Sequence, residues 1–310
     1  MNRNKNKTAL VTGGCGFIGS HLADRLIQDN YKVIIIDNLS TGALNNLNSS
    51  AIFYQGDVSD KSFVAKVFQQ HEINIVFHQA TTINTNALQE NPLHDVDSSV
   101  NSTIILANLC LKHNIDKFIF ASSVAVYGRS EKLPANEYSK IEPIYSYGIS
   151  KHTAELYLKY FSNYYGLNYQ ILRYANVFGP RQPIFGEVGV IAIYTEKLIK
   201  EDELVIFGTG ENQRDYIYVS DVVDFTVKSI SFKNSETFNV GNGKPISVKD
   251  VFNDFSKFGI KQKTAVFRPE RFGEIGNFYC DVSKAFSTGW TTNVSLEEGI
   301  EKTITYFKNK

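Results

Sequence analysis

The chain has no excess of either charge: 32 lysines and arginines meet 32 aspartates and glutamates, for a formal net charge of zero at pH 7. A nucleic-acid binder carries a basic face, so that class of partner is not expected. No apolar run approaches the ~18 residues of a membrane span. Arg3, Lys5 and Lys7 are followed by no apolar stretch, so the start reads as solvated and not as a signal peptide. Cysteine is scarce. Cys15, Cys110 and Cys280 are odd in number and far apart, which argues against a disulfide framework and fits a reducing compartment. Repeats, low-complexity stretches and linkers are missing too. A soluble cytoplasmic protein is expected, with no membrane partner and no metal.

What is present is a sizeable apolar fraction, 43% of 310 residues, in a chain longer than one usual domain. A large nucleotide-binding domain with a smaller appended one follows as the expectation. Short apolar, β-branched or aromatic runs stand at Thr8–Thr12, Lys32–Asp37, Ile52–Gln55, Ile75–His78, Lys117–Ser122 and Tyr169–Tyr174. Amphipathic stretches alternate with them at Ile18–Asp29, Lys61–Gln70, Ser98–His113 and Ser146–Tyr165. Strands apolar on both faces and separated by helices indicate a parallel, doubly wound α/β sheet of the Rossmann type. After Tyr174 the rhythm breaks. A loop at Gly179–Pro183, a helix from Gly186 to Lys200, strands at Leu204–Phe207 and Asp215–Tyr218, a helix, a strand ending at Gly241 and a helix at Ser295–Lys308 make a smaller mixed α/β part. The division expected is 1–175 plus 214–241 for the dinucleotide, and 176–213 plus 242–310 for the substrate.

Two constellations carry chemistry. Gly13, Gly16 and Gly19 follow a strand and open a helix, the context a dinucleotide loop needs. Glycines allow the tight turn and let the backbone approach a pyrophosphate seated on the helix N-terminus. Asp37, at the end of the second strand, is placed to bind both ribose hydroxyls of NAD and to repel a 2′-phosphate. Cys15 between the glycines reads as a small spacer. The second constellation is Ser122-Ser123, then Tyr147 and Lys151 four residues apart on one helix face. A free tyrosine titrates near pH 10, so the adjacent ammonium together with a bound oxidised nicotinamide is expected to lower it. Tyr147, Lys151 and Ser123 can then take a hydroxyl proton while a nicotinamide takes a hydride from the same carbon.

The chain resembles the extended short-chain dehydrogenase/reductase family, and within it the nucleotide-sugar 4-epimerases of the UDP-glucose 4-epimerase type. The resemblance runs over nearly the whole chain: Thr12-Gly13-Gly14-Cys15-Gly16-Phe17-Ile18-Gly19, Asp37-Asn38-Leu39-Ser40-Thr41-Gly42, Gly56-Asp57-Val58, His78-Gln79-Ala80, Val100-Asn101, Leu172 to Gln182, Arg214 to Val219, and Phe238-Asn239-Val240-Gly241. It implies NAD as cofactor, held by Gly13, Gly16, Phe17, Ile18, Gly19, Asp37, Asn38, Ser40, Thr41 and Gly42. Asp57 and Val58 would border the adenine, Gln79, Ala80, Thr81 and Ser122 would line the cofactor, and Asn101, Tyr147, Lys151 and Tyr174 would hold its nicotinamide half. A UDP-sugar would be bound by Asn84, Ser123, Tyr147, Asn176, Val190, Phe207, Arg214, Arg271, Glu274 and Phe278. Arginine forks suit a diphosphate, although Arg214 and Arg271 could equally be surface charges. The family also implies a homodimer.

Departures narrow the reading. Ala80-Thr81 replaces a common pair of alanines. Phe278 occupies the place that gates an N-acetyl group in related enzymes, and the plainer reading puts it in the core with Trp290. Related dehydratases and decarboxylases carry an acid or base just after the serine; here Val124 and Ala125 stand there, and neither transfers a proton. The expectation is a UDP-hexose 4-epimerase, most simply interconverting UDP-glucose and UDP-galactose. The alternatives are epimerisation of a UDP-N-acetylhexosamine or UDP-uronate, a nucleotide-sugar reductase or dehydratase, and a non-catalytic NAD-binding sensor.

Overall fold

The computed structural model describes residues 7–81, 92–183, 189–258, 265–269 and 276–310. The chain divides into two compact units, residues 1–126, 143–173 and 223–238 in the first, and 127–142, 174–222 and 239–310 in the second.

The first unit is built on β1 (Thr8–Thr12), β2 (Lys32–Asp37), β3 (Ile52–Gln55), β4 (Ile75–His78), β5 (Lys117–Ser123) and β6 (Tyr169–Tyr174), completed by a later strand, Glu236–Val240. The seven strands lie in the order Glu236–Val240, β6, β5, β4, β1, β2, β3. The β1–β2, β1–β4, β2–β3 and β4–β5 pairs are parallel. All five residues of β1 are buried, as are Val33 to Asp37 of β2, because crossover helices cover both faces of such a sheet. Those helices are α1 (Phe17–Gln28), α2 (Lys61–Gln70), the short α3 (Pro92–Asp95), α4 (Ser102–Lys112) and α5 (Ser146–Tyr165). Between α3 and α4 the chain makes a π-helical stretch, Val96–Asn101. The expected helix from Ser98 therefore starts differently, with a wide turn at its head, and such widened turns often mark functional sites. Leu10, Ile34, Val76, Phe118, Phe120, Leu158 and Ile171 are fully or almost fully buried in one core.

The second unit holds β7 (Asn176–Phe178), α6 (Val190–Lys200), β8 (Val205–Phe207), β9 (Gln213–Tyr218) and α7 (Val219–Lys228), which runs on into the first unit, where β10 (Glu236–Val240) begins. It continues with β11 (Pro245–Ser247), α8 (Val248–Ser256), β12 (Val266–Arg268), α9 (Ser283–Ser287) and α10 (Leu296–Lys308). β9 pairs antiparallel with β11 and parallel with β7, and β12 pairs with β8. This corrects the expected division. Residues 214–222 belong with the second unit because β9 finds its ladder partners there. Residues 127–142 also move to it, since the Tyr127 hydroxyl donates to Asn239 Oδ1 at 2.7 Å and the Asn239 amide N–H to Glu137 Oε1 at 2.8 Å. Among the described residues no helix is long and apolar enough to cross a membrane.

Candidate active site

The nucleotide loop joins β1 to α1. At Gly19 a Cβ would stand 2.1 Å from the Gly13 carbonyl oxygen, so only glycine lets this helix close onto the loop. The N-terminus of α1 is kept for an anion: Gly16 caps it with no side-chain hydrogen bond, and no acid occupies its first turn. α2, α8 and α10 are capped by Asp60, Ser247 and Ser295, whereas α4, α5 and α6, like α1, start with no side-chain cap. Unsatisfied N–H groups and the positive end of the helix dipole suit a pyrophosphate. Cys15 is buried, its thiol pushed up to about 11 by burial and the neighbouring Asp37 charge, which makes it an inert spacer.

Asp37 ends β2 as a buried carboxylate that accepts the Cys15 N–H at 2.9 Å and the Leu39 N–H at 2.8 Å. Its next neighbour Asn38 donates to Asp57 Oδ2 at 2.9 Å, so two segments distant in sequence meet. Ser40 and Thr41 are exposed, Gly42 lies against the Asp37 carboxylate, and Val58 is part of the core. At the end of β4 the Gln79 N–H donates to the Thr12 carbonyl and the Ala80 N–H to Thr12 Oγ1, both at 3.2 Å. Thr12 Oγ1 is itself bonded at 2.7 Å to His78 Nδ1, whose Nε2 meets Ser102 Oγ at 3.0 Å. Burial and the Lys151 charge push His78 down to about 3, so this link is neutral. The Thr81 hydroxyl is buried and faces the Tyr147 phenol. Asn101 is exposed and donates to Asp97 Oδ1 at 2.6 Å. The uncapped helix end and the adjacent carboxylate together fit a dinucleotide.

Ser123, Tyr147 and Lys151 are brought together inside the first unit. Ser123 Oγ accepts the Ala125 N–H at 3.1 Å and is hydrogen-bonded to the Tyr147 phenol. Gly148 lets the start of α5 approach, since a Cβ there would meet the Ala125 carbonyl oxygen at 2.5 Å. Lys151 is fully buried, with Nζ 5.7 Å from the centre of the Tyr147 ring and 4.8 Å from that of Phe120. Its hydrogen bond, however, goes to the Ala121 carbonyl at 2.8 Å. Lys151 by itself does not lower the phenol. Burial pushes Tyr147 up to about 12, with Asp95 adding to the rise, against the opposing effect of Ser123 and Thr81. Burial likewise brings Lys151 down to about 8 although Asp95 and Glu155 hold its charge. The polypeptide alone keeps the tyrosine protonated, and a further positive charge beside it is needed to make it a base.

Two groups escaped the sequence reading. Glu155, four residues after Lys151 on the same face, pairs with Arg173 and with Ser122. A charged residue inside the apolar strand Tyr169–Tyr174 was the available signal. Asp95, fully buried, gave none.

In the second unit Tyr174 is buried, while Asn176, Val190 and Phe207 are partly exposed at element ends. Arg214 on β9 donates from Nη1 to the carbonyls of Gln213 and Gly276. The Phe278 N–H donates to the Gln213 carbonyl at 2.9 Å, which holds Phe278 against the start of β9, next to Arg214. Phe278 is buried and stacks on Tyr127, ring centres 5.8 Å apart. Asn84, Arg271 and Glu274 lie outside the described residues.

Residues 9–241 match the profile of the NAD dependent epimerase/dehydratase family. A Methanocaldococcus jannaschii protein provisionally named UDP-glucose 4-epimerase is 43% identical over 302 residues, 97% of this chain and 98% of its own length. The crystal structure of a Thermotoga maritima UDP-glucose 4-epimerase with UDP-glucose superposes with a TM-score of 0.94 at 40% identity, covering 97% of this chain and 99% of that one. A UDP-N-acetylglucosamine 4-epimerase of Methanobrevibacter ruminantium, in complex with UDP-N-acetylmuramic acid, gives 0.92 at 34% identity, with 98% and 99% covered. With the nucleotide loop, the acid after β2 and the serine–tyrosine–lysine cluster in place, the chain belongs to the NAD dependent epimerase/dehydratase family, and NAD is its cofactor.

Proposed function

We propose that the protein is a 4-epimerase of a UDP-hexose, with UDP-glucose and UDP-galactose as its pair of substrates. The observation that carries this reading is the cluster of Ser123, Tyr147 and Lys151 followed by Val124 and Ala125. The cluster can remove and return a hydroxyl proton, and the two apolar residues supply no second acid or base for elimination or decarboxylation. The M. jannaschii and T. maritima proteins support the substrate assignment.

Bound NAD supplies the hydride acceptor and donor at C4, so the sugar passes through a 4-keto form and no cofactor is consumed. Tyr147 takes the 4-hydroxyl proton with Ser123 sharing it, and returns it to the same oxygen after the sugar has turned its opposite face to the cofactor. Lys151 and the oxidised nicotinamide together would supply the positive charge that favours the phenolate. Arg214 and Asn176 anchor the diphosphate, with Arg271 and Glu274, while Val190, Phe207 and Asn84 complete the binding site. Phe278 restricts the space for the C2 substituent, which makes UDP-glucose and UDP-galactose preferred over the N-acetyl pair. The M. ruminantium enzyme is the observation that favours the second reading, an N-acetylhexosamine substrate.

The deciding experiment incubates the purified protein, without added cofactor, with UDP-glucose, UDP-galactose, their N-acetyl forms and UDP-glucuronate, and follows the C4 epimer. Conversion of the first pair is expected. No conversion of any of the five, with NAD bound, removes the epimerase in favour of a sensor. Arg214→Ala should raise KM and release 4-keto sugar, leaving reduced nicotinamide absorbance on the protein.

The active form is a homodimer formed through α5. Ile149, Leu156, Tyr160 and Tyr164 recur at helical spacing along that helix, between 43% and 76% exposed. Sedimentation should give twice the chain mass, and Leu156→Arg should halve it.

A further inference from the structure

Asp95 is an acid in a place where acids are rarely left. It ends the short α3, is fully buried, and its Oδ2 has no hydrogen-bond partner among the described residues. A buried carboxylate without full compensation is costly, so its surroundings decide what it does. Oδ1 accepts weakly from Ser99 Oγ at 3.5 Å, and the carboxyl is also hydrogen-bonded to Ser150. Ser150 immediately precedes Lys151 on α5, so Asp95 is docked on the turn of helix that carries Tyr147 and Lys151. Two charges act on Lys151, Asp95 from α3 and Glu155 from α5 itself, while His78 of β4 feels the Lys151 charge. Glu155 is taken up by Arg173 and Ser122, and His78 is neutral. Burial raises the Asp95 carboxyl above its ordinary value, opposed in turn by Ser150, Lys151, Ser99 and last the exposed His94. Among the described residues, Asp95 is thus the acid acting on Lys151 that is not paired with a cation of its own.

We propose that Asp95 is a positioning residue that sets the pH window of the Tyr147–Lys151 relay, holding Lys151 charged and Tyr147 protonated. The proposal rests on Tyr147 acting as the base in the epimerase reading. The signs follow from charge alone. A carboxylate near an ammonium favours the ammonium, and near a phenol it disfavours the phenolate. Removing its charge lets Lys151 lose its proton more readily and lets Tyr147 ionise more readily, so both move to lower pH.

The test uses the protein as purified, with bound NAD, labelled with carbon-13 at the lysine Cε. Lys151 is identified by the resonance absent from Lys151→Arg. In Asp95→Asn, of nearly equal volume, the Lys151 titration should fall by about one pH unit, and both limbs of the kcat–pH profile should shift to lower pH together. Ser150→Ala, which removes one bond favouring the ionised Asp95, should shift the titration the same way by less. An unchanged Lys151 titration in both variants overturns the proposal, as does a Ser150→Ala titration equal to wild type when Asp95→Asn fails to fold. The lysine titration is read whether or not the sugar is turned over. Failure of the epimerase reading is therefore seen separately, as absent conversion by the wild type.

Discussion

Arg173 grips Glu155 with both arms: Nε donates to Oε1 at 2.9 Å and Nη2 to Oε2 at 2.7 Å, with neither side chain exposed beyond 1%. Ser122 Oγ adds a third bond to Oε1 at 2.6 Å. The pair thus ties β6, α5 and β5 together directly behind Ser123. Its energetic signature is asymmetric, since a buried ion pair adds little over a well-packed apolar pair but is costly to break on one side.

Arg173→Met should accordingly destabilise the protein by about 3–5 kcal/mol, because Glu155 is left charged and buried. Pairing it with Glu155→Leu should recover a large part of that loss. Urea unfolding of both variants decides; a single substitution costing under about 1 kcal/mol would mean the pair is not what secures these elements.

The same carboxylate predicts an acid limb of stability. Burial alone would raise Glu155, but the bonds from Arg173, His152 and Ser122 outweigh it and bring the group down to about 2. A carboxyl depressed in the folded state contributes stability that is complete above its unfolded value, near pH 4.3, and is lost as pH falls through the folded value. The wild-type melting temperature should therefore decline from about pH 4.3 toward pH 2 more steeply than that of the Arg173→Met/Glu155→Leu double variant. Parallel declines would assign the acid limb to other carboxyls.

Much of the first unit could be read from the chain because its strands are long apolar runs. The bounds expected for Thr8–Thr12, Lys32–Asp37, Ile52–Gln55, Ile75–His78 and Tyr169–Tyr174 coincide with those observed. Strands of three residues, such as Asn176–Phe178 and Pro245–Ser247, carry too little period to be seen and exist only through β9. The co-location of Ser123 with Tyr147 was legible from the strand–loop–helix order. The direction of Lys151 was not, since helix spacing places its Cα beside Tyr147 but leaves the long side chain free to reach the Ala121 carbonyl. Asp95 was invisible for a similar reason: Pro92-Leu93-His94-Asp95 reads as a polar turn, and its burial comes from α5 packing over it.

Asp37 should enforce NAD over NADP, because a 2′-phosphate would face a buried carboxylate. Asp37→Ser should narrow the preference. It should also lower stability, as the N–H groups of Cys15 and Leu39 lose their acceptor. Titration of each dinucleotide into cofactor-stripped protein reads the first effect and a thermal melt the second. Equal wild-type affinity for the two would sink the assignment.

Tyr147→Phe keeps the ring against Lys151 but removes the transferable proton. Loss of a general acid–base typically costs ~10²–10⁴-fold in rate, and NAD content should stay at the wild-type level. Single-turnover measurement with UDP-galactose checks this. Wild-type turnover in the variant takes Tyr147 out of the reaction.

The last prediction concerns Phe278, where stability and specificity meet. Its ring is buried and stacked on Tyr127, whose hydroxyl is tied to Asn239, so the wall it forms is held from behind. Truncating a buried phenylalanine to a small side chain costs about 3–5 kcal/mol, and Phe278→Ser should show a loss of that size in urea unfolding. If the ring also borders the C2 substituent, the space released should raise turnover of UDP-N-acetylglucosamine relative to UDP-glucose. Differences of a methylene or two in a pocket are worth only ~1–3 kcal/mol, so the expected change is a shifted ratio of kcat/KM, about 10–200-fold, and not a new absolute specificity. Tyr127→Leu separates the two effects, since it removes the stacking partner while leaving Phe278 in the chain. Equal loss of stability in both variants with no change in the ratio for Phe278→Ser would make Phe278 a core residue only. Efficient turnover of the N-acetyl sugar by the wild type would refute the gate directly and leave the 4-epimerase reading intact.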